Sequence, residues 1–142
     1  MADNISPERR SWVMRQVPGK NTKPELTVRS ILHRLGFRFT INAPNNRQLP
    51  GKPDIILPKL DTVIFVHGCF WHAHEGCPRF RMPSSRQDYW EEKIGRNMTR
   101  DLDNIATLGE LGWRVLIVWE CETSTATKRE ELAERLATEL PA

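Results

Sequence analysis

The chain has 142 residues, 39% of them apolar and 27% charged, with a formal net charge of +3 and three cysteines. That composition excludes a disordered chain, and no apolar run approaches the roughly 18 residues that cross a bilayer. One domain spanning residues 1–142, built on one core, is the expectation.

The opening MADNISPERRSWVMRQ has no apolar leader, which predicts a cytoplasmic protein with no membrane attachment. Pro7 at a first helical position opens a predicted helix, SPERRSWVMRQV, and Pro18-Gly19 ends it. Residues 1–52 carry ten Lys/Arg against three acids, giving +7, and residues 53–142 carry −4. A basic segment on an acidic body suits a polyanion such as DNA or RNA, so 1–21 is read as a basic nucleic-acid-binding arm and 22–142 as the core.

Thr22-Lys23-Pro24-Glu25 reads as a capping box, with Leu26, Ile31, Leu32 and Leu35 at helical spacing and Gly36 as the stop. FRFTI (37–41) alternates like a strand, and APNNRQLPGKP (43–53) reads as a turn-rich loop. DIIL (54–57) and TVIFV (62–66) predict a hairpin of buried strands. A helix is predicted from about Gln87, with Ile94, Met98, Leu102, Ile105, Leu108 and Leu111 on its inner face and Gly112 ending it. WRVLIVWE (113–120) is the strongest strand signal, and KREELAERLATEL predicts a final amphipathic helix. The order α-α-β-β-β-α-β-α, without repeats or low-complexity blocks, is that of an α/β protein.

HGCFWHAHEGC (67–77) holds three of the four histidines and two of the three cysteines. Cys69, one histidine and Cys77, joined by Cys121 after the WRVLIVWE strand, would use every cysteine in a closed tetrahedral zinc site. Spacing leaves His72 and His74 both feasible as the nitrogen ligand; His67, at a strand end, is the weaker candidate.

Asp54 opens a buried strand, where an unpaired carboxylate is costly unless it binds a hard cation such as Mg2+. Pro53-Asp54 followed by strand, turn and strand is the layout of the PD-(D/E)XK nuclease fold. The acid-x-Lys expected on the second strand is Phe65-Val66-His67 here. A histidine titrating near neutrality can serve as base where lysine serves elsewhere. Phe70 and Trp71, held in a metal loop, suit a wedge between stacked bases, with Trp90 able to join them.

Together LPGKPDIIL, TVIFVHGCFWHAH, DYWEEKIGRN and WRVLIVWEC, with SWVMRQV and KPEL, closely resemble the Vsr family of very-short-patch mismatch repair endonucleases, over about Arg9 to Cys121. The resemblance implies a single-domain restriction-endonuclease-like fold with a central mixed sheet flanked by helices and a structural zinc. It implies strand nicking of duplex DNA beside the thymine of a T·G mismatch left by 5-methylcytosine deamination. The implied partners are that DNA, functionally a cytosine-5 methyltransferase, and mismatch-repair proteins, with the enzyme acting as a monomer.

Carried over residue by residue, Asp54 and the main-chain carbonyl of Val66 bind Mg2+, His72 activates water, and Glu25 and His67 support the hydrated metal. Zinc takes Cys69, His74, Cys77 and Cys121. Phe70, Trp71 and Trp90 insert at the mismatch, Met14 wedges from the minor groove, and Lys93 and Asn97 read the wobble pair. Two departures stand out. Val66 occupies a position that is often Thr in relatives, and Glu75-Gly76 separate His74 from Cys77 where the best-known relative has one residue. The competing expectations are an endonuclease of broader mismatch or restriction-type specificity, and a zinc-stabilised DNA-binding module without catalysis.

Overall fold

A computed structural model describes residues 22–141. The predicted N-terminal helix, Met14 and the whole of the basic arm (1–21) lie outside the described residues.

Helix α1 (Lys23–Arg34) starts where Thr22 Oγ1 accepts the Glu25 N–H at 3.4 Å, with Pro24 in its first turn. Its buried face is Glu25, Val28, Ile31 and Leu32, while Leu26 is half exposed. FRFTI does not form a strand. Thr40 makes one bridge to Ile56, exchanging both backbone hydrogen bonds at 2.8 and 3.0 Å. The alternation is nonetheless used, because Phe37, Phe39 and Ile41 all pack on the core. The partner strand is only three residues long, which limits the ladder.

The 43–53 loop contains a short helix, α2 (Pro44–Gln48), fixed by the buried Asn46 amide. Asn46 Oδ1 accepts from Thr40 Oγ1 and the Ala43 N–H, and its Nδ2 donates to the Thr40 and Pro53 carbonyls. All four hydrogen-bonding positions of the amide are filled, so its burial costs little. The last of these bonds holds the peptide that leads into Asp54.

Strands β1 (Ile55–Leu57) and β2 (Thr62–His67) form the expected antiparallel hairpin through a 3-10 turn, and β2 pairs in parallel with β3 (Arg114–Trp119). This small mixed sheet, in the order β1-β2-β3, is covered on both faces. Ile55, Leu57, Ile64, Leu116 and Val118 meet α1 and the last helix, α4 (Ala126–Glu139), through Leu132 and Leu136. Ile56, Val63 and Phe65 face the other way, towards Leu108 of the long helix α3 (Gln87–Glu110). Burial on both faces is why TVIFV reads as a continuous apolar run, each such side chain contributing about 1.5–3 kcal/mol.

The inner face of α3 departs from the sequence reading. Ile94 and Leu108 are buried, but Met98, Leu102 and Leu111 are 45%, 67% and 59% exposed. The face turned to the protein runs through Ile94, Asn97, Asp101, Asn104 and Leu108. It is polar in the middle because there it borders a cavity instead of the core. Among the described residues no helix is long and apolar enough to cross a membrane.

Candidate active site and metal centre

The parallel β2–β3 pair ends with His67 opposite Trp119, so both strands deliver their following residues to one end of the sheet. Cys69 lies two residues beyond the first strand end and Cys121 two beyond the second. The ligand atoms of Cys69, His74, Cys77 and Cys121 all lie within 4.8 Å of one another. The His74 ring stacks on Trp119 with centroids 4.1 Å apart, and its Nδ1 is 3.5 Å from Cys121 Sγ. The Glu75-Gly76 spacing is absorbed by a turn in which Gly76 takes φ +73 and the Cys77 N–H donates to the His74 carbonyl. Three thiols and one imidazole form a soft, four-donor set, which fits zinc better than a hard cation.

Beside this cluster opens a cavity of about 440 Å3 whose wall includes Glu25, Asp54, His67, His72, Asp101 and Glu120. Asp54 precedes β1 next to the end of β2, and its Oδ2 accepts the Val66 N–H at 2.7 Å. Burial pushes the Asp54 carboxyl up to about 7, with the Val66 N–H opposing, the Glu25 charge adding and Arg29 opposing. A desolvated carboxylate beside a second acid is the environment in which a bound cation stabilises the ionised form, so Asp54 and Glu25 fit Mg2+. Glu25 is buried and accepts from Arg29 at 3.3 Å.

His67 is buried, stacked on His72 at a 3.7 Å centroid distance, and its Nδ1 has no hydrogen-bond partner among the described residues. Burial, then the neighbouring His72, lowers its pKa to about 4 despite the opposing Asp101 charge, so His67 is neutral at physiological pH. His72 Nδ1 lies 2.6 Å from Asp101 Oδ2. This contact fixes the ring and leaves its Nε2 as the other proton-exchanging atom.

The aromatic residues gather at the edge of the cavity. Phe70, Trp71 and Trp90 lie 5.1–5.9 Å apart by centroid, and Trp71, 36% exposed, also lines the cavity wall. Lys93 Nζ sits 5.2 Å from the Trp71 ring centroid, and Asn97 Nδ2 donates to the Trp71 carbonyl at 3.2 Å. The structure therefore brings together every candidate site residue it describes; Met14 lies outside the described residues.

Sequence reasoning missed Asp101, Glu120, Phe80 and Tyr89. Phe80 packs on Phe70, and Tyr89 packs edge-on against Trp90. Glu120 Oε1 accepts the Cys69 N–H at 3.0 Å. The available signal for Asp101 was the polar break at 97, 101 and 104 in an otherwise apolar helical stripe.

The family model "DNA mismatch endonuclease Vsr" matches residues 2–79. The DNA mismatch endonuclease Vsr of Escherichia coli K12 is 42% identical over 98% of this chain and 85% of its own length. A Type II nicking enzyme of Xanthomonas oryzae pv. oryzae, V.XorIIP, is 52% identical over 87% of this chain and 88% of its own. Another from Neisseria meningitidis serogroup A, V.NmeAIP, is 41% identical over 99% and 97%.

Proposed function

Since the chain belongs to the Vsr family of DNA mismatch endonucleases, we propose that it nicks one strand of duplex DNA beside the thymine of a T·G pair, in a Mg2+-dependent hydrolysis on a PD-(D/E)XK-type core. The observation that most supports this reading is the His72–Asp101 pair facing the same cavity as Asp54 and Glu25, with Trp71 at its rim.

In this reading Asp54 and the main-chain carbonyl of Val66 hold Mg2+, with Glu25 supporting the hydrated metal, which when bound stabilises charge on the phosphate. Asp101 accepts the Nδ1 proton of His72, fixing the tautomer whose Nε2 takes a proton from water. His67, neutral and stacked on that ring, supports the hydrated metal without adding a second positive charge. Cys69, His74, Cys77 and Cys121 hold zinc, which pins the loop carrying Phe70 and Trp71. Those two rings and Trp90 enter the stack, which opens more easily at a wobble pair than in matched duplex. Lys93 and Asn97 read the wobble pair, residues 1–21 form the basic arm, and Met14 wedges from the minor groove.

The protein would act as a cytoplasmic monomer, downstream of a cytosine-5 methyltransferase and ahead of mismatch-repair proteins. The test is nicking of T·G, matched and other mismatched duplexes with and without Mg2+. Selective, Mg2+-dependent nicking of T·G DNA is expected, and equal cleavage of matched DNA would contradict the mismatch reading. A second reading is an endonuclease of broader mismatch or restriction-type specificity; two relatives are named Type II nicking enzymes, and cleavage of several mismatches would support it.

A further inference from the structure

The cavity has an electrostatic imbalance. Four carboxylates line it, from Glu25, Asp54, Asp101 and Glu120, and among the described residues Lys52 is the only Lys or Arg in the lining, while Arg29 and Arg79 pair from outside it with Glu25 and Glu120. The substrate is a polyanion, so a strand laid across this opening needs fixed positive charge at the point of contact. Lys52 is exposed and makes no salt bridge with any described residue.

Its backbone is unusual as well. Gly51 and Lys52 are successive left-handed residues, with φ +76 and +51. Glycine suits the φ of +76 at Gly51, where a Cβ would also lie 3.0 Å from Asn104 Nδ2 and 3.1 Å from the Phe65 ring, closer than ordinary contact. The Lys52 N–H donates to the Leu49 carbonyl at 2.9 Å, and the next residue, Pro53, is held through its carbonyl by Asn46. The conformation of Lys52 is therefore imposed from both sides. Gly or Asn would adopt it with less strain, so the backbone gives no reason for a lysine there. Its reason lies in the side chain.

We propose that Lys52 is a phosphate-binding residue of the nicking site, presented by a strained turn so that its ammonium holds a backbone phosphate at the mouth of the acidic cavity. The proposal rests on the nuclease reading above and adds a positioning contact to it. The charge offsets the carboxylates without entering the hydrogen-bonded His72–Asp101 pair, and its place two residues before Asp54 ties the bound strand to the metal-binding carboxylate.

The experiment compares wild type with K52N, which tolerates the left-handed backbone but lacks the charge, and K52R, which keeps the charge. Binding to a T·G duplex is measured over a salt series in magnesium-free buffer, and single-turnover nicking of the same duplex with Mg2+. K52N is expected to lower the log–log salt slope by about 0.9, the loss of one phosphate contact, and to slow nicking, with K52R restoring both. A K52N protein equal to wild type in slope and rate, or a K52R protein as impaired as K52N, overturns the proposal. A wild type that nicks no duplex tells against the proposed function instead, and the salt slope still decides the role of Lys52.

Discussion

His72 and Asp101, 29 residues apart in sequence, meet at 2.6 Å between Nδ1 and Oδ2. The contact joins the loop after β2 to the middle of α3, two elements whose sequences give no hint of each other. If Asp101 fixes the tautomer of a general base, Asp101→Asn should slow single-turnover nicking by about 10²–10⁴-fold while leaving DNA binding intact. A near-wild-type rate would remove Asp101 from the chemistry.

Asp54 and His67 make opposite contributions to stability against pH. Asp54 rises from 3.8 to about 7 on folding, so its contribution is complete below 3.8 and lost as pH climbs through 7. His67 falls from 6.5 to about 4, so its contribution is complete above 6.5 and lost as pH drops through 4. Between about pH 4 and 6.5 the two slopes, each up to roughly 1.4 kcal/mol per pH unit, nearly cancel. Urea unfolding in magnesium-free buffer should therefore diverge between variants. Relative to wild type, Asp54→Asn should gain stability as pH rises through this window and His67→Gln should lose it. Parallel profiles for all three proteins would contradict the burial-driven shifts.

Cys121 supplies one of the four clustered donors from the strand end remote in sequence. Metal analysis should find about one zinc per chain in the wild type and a clear loss in Cys121→Ser. That variant should melt roughly 10 °C lower, far more than replacement of an ordinary free thiol would cause. Unchanged zinc content would break the four-ligand assignment.

Trp71 is the most exposed of the three clustered aromatics Phe70, Trp71 and Trp90 and is the one that borders the cavity. Trp71→Ala should weaken binding to a T·G duplex by about 1–3 kcal/mol, with a smaller loss on matched duplex. Fluorescence anisotropy on the two duplexes measures the difference directly. Equal losses would mean that the ring contributes contact area without mismatch selectivity.

The hairpin, the β3 strand, the three longer helices and the convergence of the three cysteines were legible because each rests on local periodicity or on a scarce residue type. The FRFTI strand was not, since a strand needs a partner of matching length and β1 offers one bridge. The inner face of α3 was misread for a related reason. Apolar residues at 98, 102 and 111 fit a helical stripe, yet the protein turns a polar stripe inward there to serve a cavity. Periodicity assumes that inward means apolar, and the assumption fails beside a site. Asp101 was lost for that reason. The choice of His74 over His72 for the zinc donor set came from family resemblance, because loop spacing alone does not decide it.

The parallel pairing of β2 with β3 also has a kinetic consequence. Their ends meet only after the whole of α3 has crossed back, and such non-local closures are late, slow events that carry an entropic cost. The four donors straddle that closure, three before the crossover and one after it. A metal ion held by all four would act as a clasp, slowing reopening of that junction. Loss of the metal would then be felt as faster unfolding of the finished protein, with its rate of folding little changed.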